Sequence, residues 1–146
     1  IATKCLAWAQ PTAEDAKACL DTSLKRLGTD YIDFYLLHKH GAVRARRNSM
    51  STECGNGPRR RRPEGVIKHL GFSMHDNAGN VGQVAYRSSR YGFVQLQVNY
   101  LDWEDPVVES RKCMEVAQKH GVPVVIMEPA PRRSLGGLAR NAVQVC

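Results

Sequence analysis

The sequence predicts an α/β protein in which short strands alternate with amphipathic helices on a parallel sheet. Three observations carry that reading. The runs YIDFYLLH (31 to 38), VIKHLGFS (66 to 73), FVQLQVN (93 to 99) and VPVVIM (122 to 127) are rich in β-branched, aromatic and aliphatic residues, as strands covered on both faces are. Between most of them lie longer stretches with helical spacing and recognisable ends. A polar residue follows each run, at the strand end where parallel α/β architectures collect their function.

Taken in order, IAT (1 to 3) reads as the tail of a strand, which brings the expected number of strands to five. The chain opens on IATKC, apolar at once and without Met, and is expected to be an internal fragment. PTAEDAKACLDTSLKRLG (11 to 28) predicts a helix. Pro11 and Thr12 stand at its start, Glu14 and Asp15 in the first turn, Lys25 and Arg26 in the last, and Gly28 as the stop. Leu20, Leu24 and Leu27 form one stripe for packing on a sheet. A weaker helix is expected over 76 to 90, where Gly79 and Gly82 lower the propensity. DPVVESRKCMEVAQKHG (105 to 121) predicts a third, with Asp105 as N-cap, Pro106 at the first helical position and Gly121 closing it.

Residues 39 to 65 break the pattern. They hold eight basic residues, the block Arg59 to Arg62 among them, against Glu53 and Glu64, and so account for six of the chain's net charge of +7. They lack an apolar period. Disorder is expected over 41 to 63. The favoured explanation is an out-of-frame translation, because both flanks fit one pattern while the interior does not. A solvated basic insertion ranks second and a nucleic-acid-binding arm third.

At 146 residues the chain fits one domain with one core. No apolar run approaches the roughly 20 residues that span a bilayer, so a cytoplasmic protein without a membrane partner is expected. The five cysteines (Cys5, Cys19, Cys54, Cys113 and Cys146) are scattered, with no C-x-x-C pair. Reduced structural thiols and no metal site are the expectation.

The strand-end residues carry the chemistry. Lys4 follows IAT, His38 follows FYLL, Ser73 follows HLGF, Gln97 and Asn99 interrupt FVQLQVN, and Glu128 follows VVIM. A lone Lys or His at a strand end is usually a solvated cap or a satisfied polar group, but five such ends in succession are harder to set aside. The motifs TDYIDFYLLH, IKHLGFSMHD, FVQLQVNYLD and GVPVVIMEP resemble, in order, consecutive strands of the aldo-keto reductases. FSMHD and VVIMEP are most similar to the branch that often carries a C-terminal iron-sulfur segment.

The resemblance implies an incomplete (β/α)8 barrel of the TIM type, covering about strands 3 to 7, and NADPH-dependent reduction of an aldehyde or ketone. NADH is the alternative dinucleotide, and an iron-sulfur cluster is expected only with a further segment beyond Cys146. It assigns catalytic roles to Lys4 and His38. In the family a tyrosine acts as general acid, its pKa lowered by the lysine, which pairs with an aspartate, while the histidine donates a hydrogen bond to the carbonyl oxygen. Ser73 and Gln97 match residues that bind the nicotinamide carboxamide. Asn99, Met127 and Glu128 match further cofactor-facing positions, Met127 standing where many members stack an aromatic ring, and Arg132 or Arg133 is a candidate for phosphate. The tyrosine, its aspartate and the main adenosine-phosphate site are expected outside this chain, which by itself is expected to be inactive. Three alternatives stand beside this reading: a barrel-derived nucleotide-binding module without turnover, nucleic-acid binding through the basic segment, and a doubly wound sheet. The last is disfavoured because no G-x-G-x-x-G follows a strand. The residues specify no oligomeric state.

Overall fold

A computed structural model describes residues 1–6, 9–10, 12–40, 65–85 and 91–130. Five strands form its sheet: β1 (Ala2–Leu6), β2 (Ile32–His40), β3 (Ile67–His75), β4 (Phe93–Gln97) and β5 (Val124–Met127). All pairings are parallel, and the spatial order β1-β2-β3-β4-β5 is the chain order. Each crossover therefore moves one strand further in the same direction. A doubly wound sheet reverses its order at a switch point, whereas unbroken progression is that of a (β/α)8 barrel. The expected incomplete barrel is the fold observed.

Strand boundaries differ from the sequence reading in both directions. β2 and β3 each run two residues further, because Lys39 pairs in register with Met74 and His40 with His75. β4 stops at Gln97, short of the expected 99. The cause is local: Asn99 Oδ1 accepts the backbone N–H groups of Leu101 and Asp102 at 3.0 and 2.9 Å, an Asx-type turn that ends the ladder.

Helix α1 (Ala13–Leu27) starts at a capping box. Thr12 Oγ1 accepts the Asp15 N–H, and the Asp15 carboxylate accepts the Thr12 N–H. It ends at Gly28 in the left-handed region (φ 64°), with Thr29 N–H returning to the Leu24 carbonyl. Of the expected stripe, Leu20 is buried and Leu24 packs against the core, but Leu27 is exposed. α2 (Ala78–Ala85) falls inside the expected 76 to 90. α3 (Ser110–Lys119) begins four residues later than expected. Asp105 caps something else: its Oδ1 accepts the N–H groups of Val107 and Val108 at 2.8 and 2.9 Å, closing a separate turn that Pro106 enters. Gly121 closes α3 as expected, at φ 63°, with Val122 N–H bonded to the Ala117 carbonyl.

All three helices lie on one side of the sheet. The strand residues of that side form two core clusters. Cys5, Tyr35, Leu37 and Leu70 pack with Ala16 and Leu20 of α1, while Phe72, Met74, Val94 and Leu96 pack with Val81 of α2 and Cys113 and Ala117 of α3. Coverage of both faces, expected of every strand, is incomplete: Ile126 on the helix side of β5 is 49% exposed, and on the opposite face Leu6, Phe34 and Val125 are 39%, 44% and 44% exposed. None of the described helices is long and apolar enough to cross a membrane. The basic stretch 41 to 63, Pro11, Arg132 and Arg133 lie outside the described residues.

Candidate active site at the carboxyl ends of the strands

Partners in a parallel ladder point the same way, and side chains alternate along each strand. The register therefore stacks the face away from the helices in levels. Lys4, Leu36, Gly71 and Phe93 form one level, Leu6, His38, Ser73, Gln95 and Val125 the next, and His75 lies on the same face two residues after Ser73. Gln97 and Met127 are paired at the end of β4 and β5. Lys4 and His38 thus share a face on adjacent strands, two residues out of step. With strands roughly 4.8 Å apart and a rise of about 3.3 Å per residue, their Cα atoms lie about 8 Å apart. Lys4 is exposed, while His38 is buried.

His38 Nδ1 lies 2.6 Å from Ser73 Oγ, and Ser73 is fully buried. The His38 ring meets His75 edge to face, with centroids 5.8 Å apart. From His75 the contacts continue across β4. His75 Nδ1–H donates to Gln97 Oε1 at 2.9 Å, Gln97 Nε2 donates to Asp102 Oδ2 at 2.7 Å, and Asn99 Nδ2 donates to the same carboxylate oxygen at 2.6 Å. Asn99 Nδ2 also reaches the Glu128 carbonyl at 3.2 Å. Below them, Ser110 Oγ at the start of α3 donates to the Gln97 carbonyl at 2.9 Å. One side of the network opens on a cavity of about 330 Å³, lined by His75, Asp76, Asn77, Gln97 and Cys113 together with apolar residues of β3, β4 and the 107–108 turn.

The structure brings His38, Ser73, Gln97 and Asn99 into one run of contacts, with Lys4 one level away. Met127 takes its place at the end of β5, partly buried, and its backbone carbonyl accepts from Val98 N–H. Glu128 sits in the left-handed region at φ 52° with its side chain exposed, and its carbonyl oxygen joins the network. Asn99 is saturated: both amide hydrogens and both carbonyl lone pairs have protein partners. In this structure it acts as a brace that ties the turn after β4 to β5. Gln97 has one N–H and one lone pair still unpartnered among the described residues.

Two members of the network escaped the sequence reading. His75 lies two residues after Ser73 in a strand, hence on the same face, so period-two spacing was the signal that pointed to it. Asp102 follows Asn99 by three residues, the spacing of an Asx turn.

Two other reactive groups are ruled out as site members by where they sit. Tyr35 points into the helix-side core beside the Cys5 and Cys19 thiols, and burial first, then those thiols, pushes its phenol far up. Its hydroxyl is buried without a hydrogen-bond partner of good geometry. Cys113 Sγ donates to the Asp76 carbonyl, and burial, followed by the neighbouring Glu109 and Asp76 carboxylates, pushes its thiol up to about 11, which makes it an inert structural thiol. Among the described residues, no three His, Cys, Asp or Glu side chains stand close enough to hold a metal ion.

The aldo/keto reductase family model matches residues 1–137. No curated protein matches the chain at a significant level. An aldo-keto reductase of Bacillus halodurans, solved in its holo form, superposes with a TM-score of 0.67 at 28% identity, over 90% of this chain and 44% of its own. A Bombyx mori aldo-keto reductase in complex with NADP gives 0.63 at 26%, over 86% and 39%. An aldo-keto reductase from a Medee basin deep-sea metagenome library gives 0.71 at 19%, over 94% and 47%, a likeness of fold. The chain spans less than half the length of each of these structures.

Proposed function

The chain belongs to the aldo/keto reductase family, and from that premise we propose that it carries the middle of the active site of an NADPH-dependent oxidoreductase acting on a small aldehyde or ketone. The observation that carries the reading is the buried His38–Ser73 pair continuing into Gln97 at the carboxyl ends of consecutive strands. The donor set fits the nicotinamide end of the cofactor. Gln97 retains a donor and an acceptor on one amide, the complement of a carboxamide, and it stands beside an imidazole pair. A dinucleotide bound there would supply hydride for the carbonyl carbon.

The rest falls to the protein's own side chains. When the Ser73 hydroxyl donates to His38 Nδ1, the imidazole carries its proton on Nε2, the atom that donates to the substrate oxygen as negative charge develops there. Burial of His38 strengthens that bond, because little water competes for it. Lys4 places an ammonium on the same face, one level away, where it favours the ionised form of a neighbouring acid. The acid itself is supplied from outside these residues. Among the described tyrosines, Tyr35 and Tyr91 pack in the helix-side core, while Tyr31 and Tyr100 lie outside the strands. On this reading the described residues contribute the histidine and the lysine to the catalyst.

Kinetics of the full-length enzyme that contains these strands test the assignment. His38→Ala and Lys4→Ala should each lower kcat/KM by roughly 10² to 10⁴, with the larger share in kcat because both groups act on developing charge. Rates within twofold of the parent for either variant contradict the role given to that residue.

A further inference from the structure

The orientation of an amide and the tautomer of an imidazole are fixed by their partners, and here those partners can be followed from unambiguous backbone donors. Leu101 and Asp102 present N–H groups to one end of Asn99, which must be its oxygen, so its nitrogen faces Asp102. The Asp102 carboxylate accepts only, so the Gln97 end that touches it is the nitrogen. The other end of Gln97 is then the carbonyl oxygen, and His75, 2.9 Å away through Nδ1, must carry its proton there.

We propose that Asp102 is a positioning residue: it sets the orientation of the Gln97 amide and, through Gln97, selects the Nδ1–H tautomer of His75. In its absence the Gln97 amide can rotate by half a turn at little cost, because oxygen and nitrogen occupy nearly the same volume, and His75 then meets a donor instead of an acceptor. With Asp102 in place the amide has one remaining N–H and one remaining lone pair, in fixed positions. Resting on the reading of this end as the nicotinamide site, that fixed pair is the preformed complement of a primary carboxamide, and it avoids the cost of ordering the side chain on binding. Asn99 cannot substitute, because its hydrogen-bonding capacity is already filled.

Long-range ¹H–¹⁵N correlation spectra of the histidine rings, recorded on the whole chain, test this directly, with the His75 signals assigned by their loss in His75→Gln. The unaltered chain should show neutral His75 with its proton on Nδ1. Asp102→Leu, which fills a similar volume but offers Gln97 no acceptor, should move the majority of His75 to the Nε2–H form. Gln97→Met provides a second variant that removes the acceptor without touching the turn, and it should release the tautomer in the same way. Nε2–H His75 in the unaltered chain, or a tautomer unchanged in whichever variants fold, overturns the proposal. Addition of NADP⁺ separates this from the functional reading. A chain that shows the Nδ1–H tautomer and its release by Asp102→Leu, yet binds no dinucleotide, retains Asp102 as a positioning residue and contradicts the assigned site.

Discussion

One face of one sheet carries two chemistries at its two ends. At the amino end of the inward face, Phe34 stacks on His69 (centroids 5.0 Å) and meets Phe93 edge to face (5.5 Å). Gly71 leaves the room: a Cβ there would come within 2.6 Å of the Phe93 ring. At the carboxyl end the same strands present His38, Ser73, His75 and Gln97, joined by hydrogen bonds and ring contact. The amino end is held by packing, which tolerates little change of volume. The carboxyl end is held by directed hydrogen bonds, which fix orientation and leave some capacity for a ligand.

Substitutions sharpen this contrast. The largest loss of stability is expected from Phe93→Ala, about 3–5 kcal/mol in denaturant unfolding, since the ring is nearly buried and closes the aromatic group. Gly71→Ala should follow at about 1–3 kcal/mol, the usual cost of overpacking; a neutral result in the same unfolding assay would mean that Phe93 has room to move aside. Ser73→Ala, at the other end, should cost about 1 kcal/mol. Its larger effect should be on turnover in the full-length enzyme, through the His38 tautomer.

The smallest effect is one of pH. Lys68, first, and the chain's amino group hold the Asp33 carboxyl down to about 2 against its ordinary 3.8. A carboxyl with a depressed folded pKa stabilises above its unfolded value, so the contribution is present above about pH 4 and is lost as pH falls through 2. Both side chains reach solvent, so the effect is small and weakens with salt. Unfolding of Asp33→Asn and parent, followed from pH 6 to pH 2, should differ at the upper end and converge at the lower.

The sequence was most legible where local chemistry decides the outcome. The start of α1 at Thr12, the Gly28 and Gly121 stops and, to within two residues, the apolar strands appear where expected, because each depends on residues within one turn or one face. Asp105 was misread because Asp followed by Pro initiates a turn as readily as a helix, and only the later start of α3 distinguishes the two. Leu27, the last residue of α1, was misread because helical spacing gives a face but not how far along the helix that face is covered. At the site, Lys4, His38, Ser73 and Gln97 were legible as polar residues at strand ends. His75 and Asp102 were passed over: spacing puts His75 on the face of Ser73 and Asp102 within an Asx turn, but the contacts that give them a role cross two strands and a turn.

The central claim is that the carboxyl end, and not the aromatic amino end, meets a dinucleotide. Backbone and side-chain NMR shifts of the chain titrated with NADP⁺ test it most directly. The account predicts perturbations concentrated at His38, Ser73, His75 and Gln97, with Phe34, His69 and Phe93 unmoved. Saturable shifts centred on the aromatic group, or no shift at any of these residues at millimolar nucleotide, would contradict it.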